Sequence, residues 1–170
     1  MTTNSNRDAW LAHRFGVAIA GLLLLLATLL FSSMASESPT TDEPFHLTRG
    51  LAYFWGTDTS RSYAKPPLGN LLSAWPVTWF EEPIAMHELP GYARGSVESV
   101  AATLFRADYE ARRPWFFIAR AVIALLTLAM AAHLALTSAR LWGHGTALCA
   151  LAFLCLHPTI IAHGRLVTTE

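Results

Sequence analysis

Residues 15–34 read FGVAIAGLLLLLATLLFSSM, an apolar segment of twenty residues without a charged side chain. An α-helix needs about 20 apolar residues to cross the hydrocarbon core of a bilayer. This segment is therefore predicted to be a transmembrane helix. A cleavable signal peptide is the alternative, since Ser33-Met34-Ala35 resembles a cleavage site. The apolar region is longer than the roughly 7–15 residues of a signal peptide, which favours a retained helix.

The composition of the chain agrees with a membrane protein. Of its 170 residues 53% are hydrophobic and 14% are charged, whereas soluble domains carry about 25% charged residues. The formal net charge is zero, so no nucleic-acid partner is expected. The two cysteines, Cys149 and Cys155, lie in one apolar segment. They are expected to be small buried thiols, because two cysteines cannot form a disulfide framework.

Two further apolar segments follow the first. A second transmembrane helix is predicted over residues 115–137, which open on the aromatic run Trp115-Phe116-Phe117, and a third over residues 146–162. Arg120 lies near the beginning of the second helix. Its side chain is expected to extend to the membrane surface, with contact to an anionic headgroup as the alternative.

The fold class predicted is all-α: a polytopic membrane helix bundle of about three transmembrane helices, with amphipathic juxtamembrane helices in a long first external loop. The basic residues of the short segments decide its orientation, because the positive-inside rule applies to loops shorter than about 60 residues. The predicted order is residues 1–14 cytoplasmic, 15–34 membrane, 35–114 external, 115–137 membrane, 138–145 cytoplasmic, 146–162 membrane and 163–170 external. The expected localisation is a bacterial inner membrane, with the long loop outside the cytoplasm.

The long loop contains three amphipathic patterns. A helix is predicted to begin around Pro44, after a cap at Thr41 or Asp42, and to run to about Gly56. A second helix of about three turns is predicted to lie in the headgroup plane, with one apolar face made of Leu68, Leu71, Leu72, Trp75 and Trp79. A third is also expected at the membrane interface, with an apolar face made of Val97, Val100, Ala101, Leu104 and Phe105.

The acidic pair Asp42-Glu43 is the first candidate for catalysis. A capping carboxylate can also act as a base, and Glu43 beside it would raise the cost of a second ionisation. Asp42 is therefore predicted to accept a proton from an acceptor hydroxyl or amine as it attacks. His46, four residues after Asp42 on the same predicted helix face, is a candidate for substrate binding.

Lys65 is the first candidate for holding a phosphate. Pro66-Pro67 holds the backbone of Lys65 in an extended form, which gives its side chain a fixed origin. A fixed cation at a membrane surface can stabilise the charge that develops on a departing lipid phosphate. Arg61 and Arg165 are weaker candidates for the same role.

The order of these motifs resembles that of a known family. Asp-Glu-Pro-x-His at 42–46, Gly-x-x-Tyr at 50–53, Lys-Pro-Pro-Leu at 65–68 and the segment from Pro158 to Thr169 are similar to the N-terminal part of membrane glycosyltransferases of the GT-C superfamily. The relatives meant are protein O-mannosyltransferases and the aminoarabinose transferases of lipid A. The resemblance covers essentially the whole chain.

The resemblance implies roles for particular residues. Asp42 matches the catalytic aspartate of the first loop, and Glu43 matches its acidic neighbour. Lys65 matches the cation before the proline pair, which contacts lipid phosphate in the aminoarabinose branch. Glu170 falls where the family usually has an aspartate, and it is retained as a substrate-binding candidate. The family uses polyprenyl-phosphate sugars as donors rather than nucleotide sugars.

The function expected is that of the N-terminal portion of a glycosyltransferase, since family members have more membrane spans than this chain. It would transfer a sugar from a polyprenyl-phosphate donor to a protein, lipid or glycan acceptor among membrane lipids. The alternative is a non-catalytic membrane protein that uses the external loop as a binding surface. No metal site is predicted, because an isolated Asp-Glu-x-x-His set supplies few ligands for a metal ion. Binding of a divalent cation is left as an open alternative.

Overall fold

The computed structural model describes residues 3–56, 67–106 and 108–168. Within these ranges the chain forms helices joined by turns and contains no strand, so the all-α prediction is confirmed. The helices are α1 (Thr3–Ser36), α2 (Glu43–Trp55), α3 (Pro67–Ala74), α4 (Val97–Arg106), α5 (Tyr109–Trp142), α6 (His144–Leu156) and α7 (Pro158–His163). Two short 3₁₀ helices lie at Trp75–Trp79 and Met86–Glu88.

Two of these helices are long and apolar enough to cross a membrane, namely Ala9–Ser36 within α1 and α5. The segment predicted as a third transmembrane helix is divided at His157 into α6 and α7. The division arises because Pro158 cannot donate a helical hydrogen bond and forces the residue before it out of the helical conformation. The turn predicted at 138–145 is narrower in the structure, where Gly143 alone, at φ 88°, separates α5 from α6.

The chain divides into two compact units. The first consists of Met1–Ser33 and Ala124–Gly164. Inside it the ring of Phe15 stacks on that of His144 at 4.1 Å, and the thiol of Cys155 lies 3.5 Å from the carbonyl oxygen of Leu22. Cys155 is buried as expected, but Cys149 is exposed, so the expectation of two buried thiols is wrong for Cys149.

The second unit consists of Met34–Ile123 and the segment that begins at Arg165. Helix α2 packs against both α3 and α4. The buried face of α4 contains Val100, Ala101, Leu104 and Phe105, as the sequence pattern predicts. These side chains join Leu47 and Leu51 of α2 in one hydrophobic core, so the apolar face of α4 packs on protein and not on the lipid that the interface expectation gives it.

Helix α3 differs from α4 in the kind of side chain that it buries. Its small and polar residues Asn70, Ser73 and Ala74 are buried, while Leu68 and the 3₁₀ residues Trp75 and Trp79 are half or more exposed. The predicted three-turn helix ends earlier, at Ala74, because the ring of Pro76 cannot occupy a helix interior. The tryptophans therefore point away from the core of this unit.

Gly50 allows the close approach of α2 and α3. A Cβ atom at this position would overlap the main-chain oxygen of Asn70 and lie 2.6 Å from the Cβ of Ala74. Gly50→Ala should therefore lower the free energy of unfolding by about 1–3 kcal/mol, in spite of the better helix propensity of alanine. Thermal unfolding measures the change. Gly21→Ala in α1 is the matched control, because nothing lies within 4 Å of that position, and an equal loss in both variants would contradict the packing argument.

Candidate functional site

A buried ion pair lies at the beginning of α2. The carboxylate of Glu43 and the guanidinium of Arg120, which belongs to α5, are both almost completely inaccessible to solvent. Arg120 donates from Nε to Oε1 at 2.8 Å and from Nη2 to Oε2 at 2.6 Å, which is the two-pronged geometry of a strong carboxylate–guanidinium pair. Arg120 is therefore directed at Glu43, and the expectation that its side chain extends to the membrane surface is wrong.

Main-chain groups from two other segments form further hydrogen bonds with the same pair. The N–H of Thr40 donates to Glu43 Oε2 at 2.8 Å, and the N–H of Val167 donates to Oε1 at 3.2 Å. Arg120 also donates from Nη1 to the carbonyl oxygen of Glu37 at 3.1 Å and from Nη2 to that of Ser38 at 3.0 Å. Glu43 and Arg120 thus hold together the loop before α2, the beginning of α5 and the segment around Val167.

These partners fix the charge of Glu43. Burial alone would raise the pKa of this carboxyl, but the hydrogen bonds and the charge of Arg120, together with the bonds from Thr40 and Val167, outweigh burial. The pKa of Glu43 therefore lies below its ordinary value. Glu43 is an anion at neutral pH with both oxygens engaged, which suits a structural role and leaves it little capacity to accept a proton from a substrate.

The lowered pKa of Glu43 predicts a dependence of stability on pH. A carboxyl whose pKa is lower in the folded protein stabilises the fold above its unfolded pKa, and this contribution is lost as the pH falls through the folded pKa. We expect the melting temperature to decrease once the pH is lowered past about 4.5, near the ordinary pKa of glutamate. Melting curves from pH 7 to pH 3 measure it. In the Glu43→Gln/Arg120→Met double variant the melting temperature should decrease less steeply with falling pH than in the native chain. Equal slopes in the two chains would contradict the attribution of this dependence to Glu43.

Asp42 lies immediately before this pair, and its side chain is exposed. Its carbonyl oxygen accepts hydrogen bonds from the N–H groups of Phe45 and His46, at 3.0 and 3.1 Å, so its main chain caps α2. Its carboxylate makes no capping hydrogen bond. Asp42 remains an accessible carboxylate on a fixed backbone.

His46 is placed differently from Asp42. Its ring is buried, and its Nδ1 lies 3.0 Å from Oδ1 of Asn70, which joins α2 to α3. His46 follows Asp42 by four residues in the sequence. Burial nevertheless removes the histidine ring from the surface that Asp42 occupies. A direct contact between His46 and a substrate has no support from this arrangement.

Arg165 is a predicted phosphate-binding residue within the described ranges, and it contacts this network. Its side chain is buried, and its Nη2 pairs with the carboxylate of Glu37, whose carbonyl accepts from Arg120. Two other donors of the guanidinium, Nε and Nη1, have no partner among the described residues. Lys65, Arg61 and Glu170, the other candidates, lie outside the described residues.

Arg120 is the site residue that the sequence prediction misassigned. A charged residue within an apolar helix usually pairs with another charge, and that signal could have led to a search for an acidic partner. The described ranges contain no group of three or more His, Cys, Asp or Glu side chains arranged to hold a metal ion. Comparison of the chain with protein-family models, with curated proteins and with solved structures finds no match.

Proposed function

We propose that this chain belongs to an integral-membrane glycosyltransferase that transfers a sugar from a polyprenyl-phosphate donor to a hydroxyl or amine acceptor. The observation that supports it most is the position of Asp42. Its exposed carboxylate lies next to the buried Glu43–Arg120 pair, which holds the backbone around it in place. An accessible carboxylate on a rigid support is what a general base requires.

In the proposed reaction Asp42 takes the proton of the acceptor. As the proton leaves, the acceptor oxygen or nitrogen forms a bond to the anomeric carbon of the sugar. The bond between that carbon and the phosphate oxygen breaks, and its electron pair leaves with the polyprenyl phosphate. Asp42 is neutral at the end of this step and returns the proton to water.

The departing phosphate needs a cation. Two buried donors of the Arg165 guanidinium have no partner among the described residues, and a guanidinium can bind two oxygens of a phosphate at once. The proposal requires that these donors become accessible when the donor lipid binds. The carboxylate of Glu37 pairs with this guanidinium and holds the side chain in position. Lys65 is proposed from the sequence as a further cation for the same phosphate.

The donor lipid requires a membrane beside the site. We propose that α1 and α5 span the bilayer together with the segment formed by α6 and α7, and that residues 35–114 lie outside the cytoplasm of a bacterial cell. The exposed Leu68, Trp75 and Trp79 would then contact the headgroup region, where tryptophan is enriched. Such a location brings the unit that carries Asp42 to the level of a lipid phosphate.

The test is sugar transfer by the full-length protein that carries this chain, reconstituted in proteoliposomes, with a panel of polyprenyl-phosphate sugars offered as donors and nucleotide sugars as the comparison. Transfer only from the lipid-linked donors, and its loss in Asp42→Asn, would support the proposal. Glu82→Gln is the matched control, since Glu82 is an exposed acid of the same unit. Absence of transfer from every lipid-linked donor would leave the non-catalytic alternative in its place.

A further inference from the structure

A cleft of about 460 Å³ lies in the second unit, where α1 ends and α5 begins. Its apolar wall includes Met34, Phe117 and Ile118. Charged residues of both signs line the rest of it, namely Glu37, Glu110, Arg113 and Arg120. The cleft thus joins an apolar surface to a polar one at the point where two apolar helices reach the end of their hydrophobic segments.

Two of these four charges are already neutralised. Arg120 pairs with Glu43, and Glu37 pairs with Arg165. The remaining two, Glu110 and Arg113, are exposed, and neither forms an ion pair or a side-chain hydrogen bond with another described residue. With respect to the described residues, the cleft therefore offers one available anion and one available cation.

The two available charges lie on the same face of α5. Residues three apart in a helix are neighbours on its surface, so Glu110 and Arg113 lie side by side. Pro114 adds a further acceptor, because it has no N–H to donate to the carbonyl oxygen of Glu110, four residues before it. Glu110 thus carries two acceptors, its carboxylate and its main-chain oxygen, on the residue one helix turn before Arg113.

We infer that this cleft binds the headgroup of a zwitterionic phospholipid with a primary ammonium, of the phosphatidylethanolamine class. The phosphate meets Arg113, the ammonium donates to the carboxylate and the carbonyl of Glu110, and the beginning of the acyl chains lies along Met34, Phe117 and Ile118. This inference rests on the membrane location of α1 and α5 and does not depend on glycosyl transfer.

The chemistry of the cleft distinguishes this headgroup from other lipids. An anionic headgroup without an ammonium, such as phosphatidylglycerol, would leave the carboxylate of Glu110 unpaired beside it. A choline headgroup has a quaternary ammonium with no N–H, so it cannot donate a hydrogen bond to the carboxylate or to the carbonyl oxygen of Glu110. Only a headgroup with both a phosphate and an N–H-bearing ammonium satisfies both residues.

The first experiment measures which lipid stays bound. The full chain is purified in detergent, mixed with equal amounts of phosphatidylethanolamine, phosphatidylglycerol and phosphatidylcholine, and analysed by native mass spectrometry. We expect retention of phosphatidylethanolamine about tenfold above the other two, as the loss of one charge-assisted hydrogen bond would give. Equal retention of the three lipids by the native chain would overturn the inference, whatever the variants do.

The variants locate the binding. Arg113→Ala and Glu110→Gln should each abolish the preference, whereas Arg94→Ala, which removes an exposed arginine outside the cleft, should keep it. The charge exchange Glu110→Arg/Arg113→Glu is decisive. If Glu110 and Arg113 only paired with each other, the exchanged chain would behave as the native one. If they hold a headgroup, its two charges would meet the wrong partners and the preference would disappear. Retention of the preference in the exchanged chain would refute the assignment.

Discussion

Arg120→Ala should lower the free energy of unfolding by roughly 3–5 kcal/mol, because it leaves the carboxylate of Glu43 buried without its counter-charge. Domains of this size have a total stability of about 5–15 kcal/mol, so the variant should lose a large part of it. The carbonyl oxygens of Glu37 and Ser38 would lose their donors as well. Thermal unfolding in detergent measures the loss, and hydrogen exchange of the α2 amides should show where it occurs.

The control removes both charges together. Glu43→Gln/Arg120→Met keeps similar volumes, and the single amide oxygen at position 43 can still accept from one of the N–H groups of Thr40 and Val167. Replacement of a buried pair by neutral groups is often nearly neutral, so this chain should be more stable than Arg120→Ala despite its second substitution. If the double variant were the less stable of the two, the unpaired carboxylate would not be the cause of the loss.

Asp42→Asn should reduce glycosyl transfer by roughly 10²–10⁴-fold, the usual contribution of a positioned general base, since an amide cannot take the proton of the acceptor. Stability should hardly change. The carboxylate makes no capping hydrogen bond, and asparagine is as good a cap as aspartate. The measurements are the rate of transfer from a polyprenyl-phosphate sugar and the melting temperature of the same preparation.

Two comparisons make the Asp42 result specific. Glu82→Gln should leave the rate within about twofold of the native value, because the charge of an exposed acid outside the site is largely screened by salt. Asp42→Glu keeps a carboxylate but moves it by one methylene, so it should recover part of the rate that Asp42→Asn loses. A rate near the native value in Asp42→Asn would remove Asp42 from the mechanism.

The structure bears out the sequence prediction where the signals are local. The first loop helix was predicted from Pro44 to about Gly56 and is observed at Glu43–Trp55, because a proline in its first turn and a glycine after its last residue both act within one turn. The apolar face of α4 follows from its periodicity in the same way. Which partner covers that face is a tertiary property, and here the sequence prediction was wrong.

The candidate site depends on contacts that no local pattern contains. Asp42 and Glu43 are adjacent acids, and only the position of Arg120, 77 residues after Glu43, decides which of them is buried. The burial of His46 likewise depends on the approach of α3 at Gly50. Spacing along a helix places His46 on a face, but it does not tell whether that face meets water or another helix.

The bonds to Glu43 also impose an order on biosynthesis. A ribosome adds Arg120 to the nascent chain 77 residues after Glu43, and Val167 124 residues after it. Until both have emerged, Glu43 must stay hydrated, since an unpaired carboxylate cannot be buried. The beginning of α2 can therefore reach its final packing only after Val167 has left the ribosome, and contacts of such long sequence separation form slowly. A quality-control protease that recognises an exposed α2 would thus distinguish nascent chains that lack Val167 from chains that contain it.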